Sequence, residues 1–229
     1  MTTRLYIIRH GATKLSSEDR FSGGTDINLS EEGCWQAGCL AERLEKDKIA
    51  AIYTSPMKRT VETAAIIARS HALKPILQDN LREIHHGHWE TMRRVGVETN
   101  FPEEYAAWQI DPFTFAPIGG ESGLNVMARA LPTIRNIVIK HHDENVILVS
   151  HKATIRLLIS SLLGFDARGY RDRLDQLPAC LNILDFKDPV HARLVLFNDV
   201  SHYIDYPPYP EKHLSKWWDT QVTRSEENS

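Results

Sequence analysis

The stretch that decides the fold of this chain is Leu5-Tyr6-Ile7-Ile8-Arg9-His10-Gly11-Ala12-Thr13. It begins with an apolar, β-prone run, which predicts a short buried strand. Arg9 and His10 follow that run directly, so a guanidinium group and an imidazole stand at the end of the strand. In an open α/β sheet, ligands bind just beyond the carboxyl ends of the strands. We therefore expect a ligand site at this point of the chain.

Composition and charge narrow the classes of function. The 229 residues suffice for one well-buried core, or at most two small domains. A formal net charge of -3 argues against nucleic acid or an anionic membrane as a partner. No apolar run approaches the roughly 20 residues of a membrane-spanning helix, and we expect no signal peptide. The 3 cysteines form no CxxC pair, so we expect no disulfide framework and a location in the reducing cytoplasm.

Strand and helix patterns alternate along most of the chain. Further strands are predicted near residues 50–54, 76–78, 146–149, 181–186 and 192–197, with helical spacing of apolar residues between most of them. Ser30 is expected to cap the first helix, Ser55-Pro56 to open the second, and Pro132 to kink a later one. Such alternation predicts an α/β fold with a helix-covered, largely parallel sheet.

The segment of about residues 84–122 has no clear period and is rich in aromatic residues. A long segment of this kind is usually a functional lid or disordered, and the aromatic content argues against disorder. We therefore predict one domain over residues 1–205, with a lid insertion at about 84–122. Residues 206–229 are predicted to form a C-terminal tail, in which Trp217-Trp218 suits either core packing or an interface such as that of a homodimer.

Later side chains are expected to join His10 at the edge of the sheet. Arg59 falls in the first turn of the helix after the second strand, and His151 directly follows the strand at 146–149. Guanidinium groups match phosphate oxygens in two-point contacts. A helix N-terminus adds free N–H groups and a positive dipole end. Each of these residues alone is more often structural, but together with Arg9 they predict a phosphate site.

Separated motifs in this chain resemble the histidine phosphatase superfamily, in the branch that contains cofactor-dependent phosphoglycerate mutase and its phosphatase relatives. The motifs are Arg9-His10-Gly11-Ala12-Thr13, Ser55-Pro56-Met57-Lys58-Arg59-Thr60, Leu81-Arg82-Glu83-Ile84, Gly119-Gly120-Glu121-Ser122 and Ser150-His151. The resemblance runs from about Arg4 to His202. It implies a three-layer α/β/α sandwich with a mostly parallel central sheet, without a metal and without a cofactor.

The resemblance also implies a role for each candidate catalytic residue. His10 would be the nucleophile that becomes phosphorylated, Glu83 the proton donor, and Arg9, Arg59 and His151 the ligands of the phosphoryl group. The chemistry is consistent with these roles. A neutral imidazole is a good nucleophile near neutral pH, and a phosphohistidine divides one displacement into two easier steps. An alkoxide leaving group needs a proton from an acid such as Glu83.

The candidate substrate-binding residues are Ser16, Ser22, Gly23, His86 and Lys152. Ser16 stands where many relatives have a phosphate-contacting asparagine, and serine donates one hydrogen bond over a shorter reach. His86 occupies a position that lies near the substrate in some phosphoserine-specific relatives. Lys152 replaces a common glycine, and it either adds a cation for a substrate carboxylate or points to solvent.

Two further features of the segment after Glu83 bear on function. Thr91 stands where relatives frequently have glycine. The cluster His85-His86-x-His88 invites a zinc interpretation, but adjacent histidines in an extended loop face different ways, so we expect no metal site.

The choice between mutase and phosphatase depends on the segment between Glu83 and the Gly-Gly-Glu motif. The mutases carry a longer, more basic segment there, whereas this one is short, acidic and aromatic. We therefore expect a phosphatase. The arrangement of Pro102-Glu103-Glu104-Tyr105, Trp108, Gly119-Gly120-Glu121-Ser122 and Ser150-His151 resembles the metal-independent phosphoserine phosphatases. This resemblance implies a small phosphorylated metabolite with a carboxylate as substrate, L-phosphoserine being the first to test. The alternatives are a phosphoglycerate mutase and a non-catalytic phosphate-binding module.

Overall fold

The computed structural model describes residues 2–17 and 20–205, without the side chains of residues 16 and 17. The sheet of this part has six strands: β1 (Thr3–Arg9), β2 (Ala51–Thr54), β3 (Ile76–Leu77), β4 (Asn145–Ser150), β5 (Leu181–Phe186) and β6 (Ala192–Asp199). Their spatial order is β3-β2-β4-β1-β5-β6. The strands from β3 to β1 are parallel, whereas β5 pairs antiparallel with both β1 and β6. The prediction of a largely parallel sheet is confirmed.

Helices cover both faces of this sheet. They are α1 (Glu31–Leu44), α2 (Lys58–His71), α3 (Arg94–Asn100), α4 (Pro102–Ile110), α5 (Gly123–Lys140), α6 (Lys152–Leu162) and α7 (Tyr170–Arg173). Successive side chains of a strand point to opposite faces. Accordingly, Tyr6 and Ile8 pack with α1 and α2, whereas Leu5 and Ile7 pack with α5 and α6. The three-layer α/β/α sandwich is therefore confirmed.

The register of the two central strands places the candidate residues. Arg9 of β1 lies opposite Ser150 of β4, so both strands end at the same level. The next residues along the chain are His10 and His151, and the backbone N–H of His10 donates to the carbonyl of Ser150 at 3.1 Å. The two imidazoles therefore start from neighbouring points on one edge of the sheet.

Helix boundaries show where local signals succeed and fail. The Ser30 hydroxyl accepts a hydrogen bond from the N–H of Gly33, as expected of a helix cap. The prediction that Ser55-Pro56 opens α2 was wrong, because α2 begins at Lys58, whose N–H donates to Asp26. Helix α5 continues through Pro132.

The aromatic segment at 84–122 contains α3 and α4, which the sequence did not predict because neither extends beyond nine residues. Its buried side chains form a small core of their own with a residue from the loop after β1: Phe21, Trp89, Val97, Tyr105 and Trp108. Packing of this kind explains the high aromatic content. The predicted tail at 206–229, with Trp217-Trp218, lies outside the described residues.

No helix within the described residues is both long and apolar enough to cross a bilayer.

Candidate active site

His10 and His151 lie side by side at the carboxyl ends of β1 and β4. Their ring centroids are 5.3 Å apart, with the ring planes inclined at 61°. Exposure is 6% for His10 and 0% for His151. A buried imidazole resists protonation because the charged form loses its hydration. The geometry therefore brings together two of the predicted residues in a form suited to nucleophilic chemistry.

The hydrogen bond of His10 fixes its tautomer. Nδ1 lies 2.7 Å from the carbonyl oxygen of Gly11. A carbonyl only accepts, so Nδ1 carries the proton and Nε2 keeps its lone pair. Burial, followed by the charges of Arg9 and Arg59, lowers the pKa of His10 well below its ordinary value. The ring is therefore neutral at physiological pH, with Nε2 available as a nucleophile.

His151 is held in the opposite tautomer. The Nε of Arg59 donates to Nδ1 of His151 at 3.2 Å, so Nε2 carries the proton and donates to the Ser55 hydroxyl at 2.8 Å. Burial, then Arg59 and His10, lower the pKa of His151 well below its ordinary value. Ser55 was missed as a site residue, because its Ser-Pro context is equally typical of a helix start.

Arg59 fastens a loop to the site. Its two terminal nitrogens donate to the carbonyls of Thr25 at 2.7 Å and Gly23 at 2.9 Å. A side chain at position 23 would have its Cβ 1.7 Å from the carbonyl oxygen of Ile84, so only glycine fits there. Arg59 therefore holds the loop that contains two of the candidate substrate-binding residues, Ser22 and Gly23.

Arg9 offers an unsatisfied donor beside His10. One terminal nitrogen donates to the carbonyl of Gln176 at 2.6 Å, but the buried Nε has no hydrogen-bond partner within the described residues. Buried polar groups normally find a partner, and a guanidinium N–H favours an anionic acceptor. Together with the neutral His10, this donor fits a phosphoryl group.

The Glu83 carboxylate lies against the N-terminus of α6, one turn after His151. Oε1 accepts from the backbone N–H groups of Ile84 at 3.0 Å and Thr154 at 3.1 Å, and Oε2 accepts from that of Ala153 at 3.1 Å. A helix N-terminus stabilises a carboxylate. The structure thus places Glu83 beside the histidines.

A second ion pair secures the segment that carries Glu83. Arg129 donates to both carboxylate oxygens of Glu121 at 2.8 and 2.9 Å, and to the carbonyls of Arg82 and Glu83 at 3.0 and 3.2 Å. Glu121 also accepts from the N–H of His85. Glu121 of the Gly-Gly-Glu motif therefore anchors this segment through Arg129. Arg129 was not predicted from the sequence as a site residue.

The remaining candidates lie around the loop after β1. Ser22 is half-buried between Phe21 and Gly23, and the His86 ring contacts that of Phe21 at 5.0 Å between centroids. Burial lowers the pKa of His86. The side chain of Ser16 lies outside the described part of the chain.

Lys152 lies beside a carboxylate of the protein itself. Its Nζ pairs with Asp175 Oδ1 at 3.1 Å. Burial, Arg156 and Arg9 lower the pKa of Lys152 to about 7, against the opposing effect of Asp175. Asp175 escaped the sequence analysis because it is distant in the chain and belongs to no motif.

The three histidines near Glu83 have different neighbours. Nε2 of His88 lies 3.2 Å from Oε2 of Glu104, and His85 Nδ1 accepts from the N–H of Gly87 at 2.9 Å. Thr91 adopts a φ of 70°, which is the left-handed region that favours glycine. This explains why glycine suits the position.

The fold and the site define an α/β enzyme with histidine-centred phosphoryl chemistry. Residues 5–200 match the family model of the histidine phosphatase superfamily (branch 1), and the chain belongs to this superfamily. It is 34% identical over 163 residues to phosphoserine phosphatase 1 of Hydrogenobacter thermophilus, covering 71% of this chain and 77% of that protein. The protein is accordingly a phosphatase.

Solved structures of related proteins have the same fold. Bacillus stearothermophilus YhfR superimposes with a TM-score of 0.81 and 32% identity, over 87% of this chain and 98% of that one. The mycobacterial glucosyl-3-phosphoglycerate phosphatase Rv2419c, in complex with inorganic phosphate, gives a TM-score of 0.76 and 29% identity, over 88% of this chain and 99% of that one.

Proposed function

We propose that this phosphatase hydrolyses a small phosphomonoester that carries a carboxylate, with L-phosphoserine as the first candidate, through a phosphohistidine at His10. The observation that carries the proposal is the neutral His10 ring, with its free Nε2 beside the unpartnered Nε of Arg9. The binding of inorganic phosphate by the mycobacterial relative supports phosphate as the anion. The name of the Hydrogenobacter relative supports L-phosphoserine.

In the first step, Nε2 of His10 attacks phosphorus and the ester P–O bond breaks. Glu83 acts as the general acid and gives a proton to the leaving alkoxide. The charge on the transferred group is spread over its equatorial oxygens. Arg9 and Arg59 stabilise that charge, since preorganised donors at such positions act strongly in a buried site. His151 joins them when its Nε2–H turns from the Ser55 hydroxyl to a phosphoryl oxygen. The Gly11 carbonyl keeps Nδ1 of His10 protonated and the ring in place.

In the second step, water attacks the phosphohistidine and the P–N bond breaks. Glu83, now a carboxylate, takes a proton from this water. Inorganic phosphate leaves, and His10 returns to its neutral form. The acid and the base are thus one residue, which the backbone of α6 holds in place throughout.

A lid role for the segment at 84–122 is part of the proposal. Phe21, next to Ser22, packs on Trp89 and Trp108 of this segment with centroid distances of 5.2 and 5.3 Å. Movement of the segment would therefore displace the loop that contains Ser22 and Gly23. The extent of the domain, a homodimer, a cytoplasmic location and the absence of nucleic-acid and membrane partners stay predictions.

The experiment measures phosphate release from p-nitrophenyl phosphate and from a panel of phosphorylated metabolites that includes L-phosphoserine. His10→Ala should lose turnover and also acid-labile phosphate labelling, because no nucleophile remains. The matched control is His142→Ala, since that side chain is 75% exposed and lies between α5 and β4. A fully active His10→Ala protein would refute the mechanism, and equal hydrolysis of unrelated esters would refute the substrate. Formation of 2-phosphoglycerate from 3-phosphoglycerate would instead favour the mutase.

A further inference from the structure

A cluster of charged side chains borders the site on the side of β5. Asp175 Oδ1 forms ion pairs with Lys152 Nζ at 3.1 Å and with Arg156 Nη2 at 2.9 Å. The N–H of Gln176 donates to the same oxygen at 2.8 Å. All of these contacts use Oδ1, so Oδ2 is not occupied by them. The cluster combines one carboxylate with two cations.

This cluster is joined to the phosphate site through its backbone. Lys152 directly follows His151, and the residues after Lys152 bind Glu83. On the other side, Arg9 donates to the carbonyl of Gln176. Lys152 and Asp175 are therefore separated by only one or two residues from contacts with Glu83 and Arg9, the residues assigned to the leaving oxygen and the phosphoryl group.

Exposure separates the members of the cluster. The Arg156 side chain is only 8% exposed, whereas those of Lys152 and Asp175 are 35% and 31% exposed. Arg156 therefore acts as a buried support, which keeps Asp175 ionised and in place. Its Nε is buried without a hydrogen-bond partner within the described residues. Lys152 and Asp175 present opposite charges side by side to an incoming ligand.

We propose that Lys152 and Asp175 form a subsite for a zwitterion, in which Lys152 binds the carboxylate and Asp175 the ammonium group of a phosphorylated α-amino acid. The inference rests on the proposed function, because the phosphoryl group must bind at His10. In O-phosphoserine both charged groups sit on the carbon next to the ester-bearing carbon. Adjacent opposite charges in the ligand thus match adjacent opposite charges in the protein. A ligand with only the carboxylate meets the repulsion of Asp175.

The test compares substrates that differ by one group. L-Phosphoserine has both charges, 3-phosphoglycerate replaces the ammonium by a hydroxyl, and phosphoethanolamine lacks the carboxylate. Asp175→Asn should lower kcat/KM about tenfold or more for L-phosphoserine and phosphoethanolamine, but not for 3-phosphoglycerate. Lys152→Met should lower it for L-phosphoserine and 3-phosphoglycerate, but not for phosphoethanolamine. Each value is divided by that for p-nitrophenyl phosphate with the same variant, so that a loss of folded enzyme cancels.

The outcomes separate the subsite from the function on which it rests. A wild-type enzyme that hydrolyses 3-phosphoglycerate and L-phosphoserine with equal kcat/KM would overturn the subsite and leave the phosphatase mechanism intact. The same holds if either variant lowers all three ratios equally, or none. A wild type that hydrolyses other phosphomonoesters but none of these three would overturn both the substrate and the subsite. Asp166→Asn, in an exposed ion pair with Arg168, serves as the matched control.

Discussion

Lowering the pH from about 7.5 to about 5.5 should destabilise the fold by about 1–2 kcal/mol for each of His10 and His151. Both rings are buried, and burial with the neighbouring arginines lowers each pKa well below the ordinary value. Over this pH range the unfolded chain binds protons at these positions that the folded chain excludes. The free energy of unfolding therefore falls as the pH falls, and the two histidines together contribute a loss of about 3 kcal/mol.

The assay is urea unfolding followed by tryptophan fluorescence at both pH values. His151→Asn is expected to reduce the pH-dependent loss by about 1–2 kcal/mol, whatever its own effect on stability. His10→Asn should do the same, and the double variant should remove both contributions. Carboxylates such as Asp185, whose pKa is lowered by Arg4, titrate below this range and do not interfere.

An unchanged pH dependence in both single variants would refute the reasoning, because it would mean that the two rings titrate alike in the folded and unfolded chains. An increase in stability on acidification that disappears in His151→Asn would also refute the reasoning. It would show a protonated His151 paired with an anion in the fold.

The remaining predictions concern single side chains. Glu83→Gln should slow turnover by about 10²–10⁴-fold, since an amide neither gives nor takes the proton, and normal kcat in this folded variant would exclude Glu83 as the acid. Thr91→Gly should raise the free energy of unfolding in urea by about 1 kcal/mol, because it relieves the φ of 70°; a loss of stability would contradict the strain. Ser55→Ala leaves the His151 N–H unpaired and should cost about 1–3 kcal/mol of stability and lower kcat, with Thr at position 55 restoring both. Equal behaviour of Ala and Thr there would argue against this hydrogen bond.

The sequence predicted the meeting of His10, Arg59 and His151 because each follows a strand directly or opens the next helix. In a parallel sheet those points share one edge, so chain position alone determines proximity. Ser30 was predicted as a cap for a similarly local reason. Such inferences need only the order of elements, which alternating hydrophobic patterns provide.

Other features depend on contacts between distant residues, and no local pattern encodes them. The pairing of Lys152 with Asp175 and the hydrogen bonds from Arg129 to the carbonyls of Arg82 and Glu83 arise only when separate segments pack together. Ser55 is compatible in sequence with a helix start or with a hydrogen bond in the site, and the tertiary structure selects the hydrogen bond with His151. Helices α3 and α4 are too short for periodicity to distinguish them from a loop, so their existence follows from the aromatic core that they share.

The manner in which Glu83 is anchored has a consequence for how the family can diverge. Backbone N–H groups of Ala153 and Thr154 donate hydrogen bonds to its carboxylate. Every amino acid except proline supplies the same amide, so evolutionary drift at position 153 leaves these hydrogen bonds untouched. The surface beside the acid is thus free to change its side chains, and new substrates can be recruited without rebuilding the catalytic apparatus.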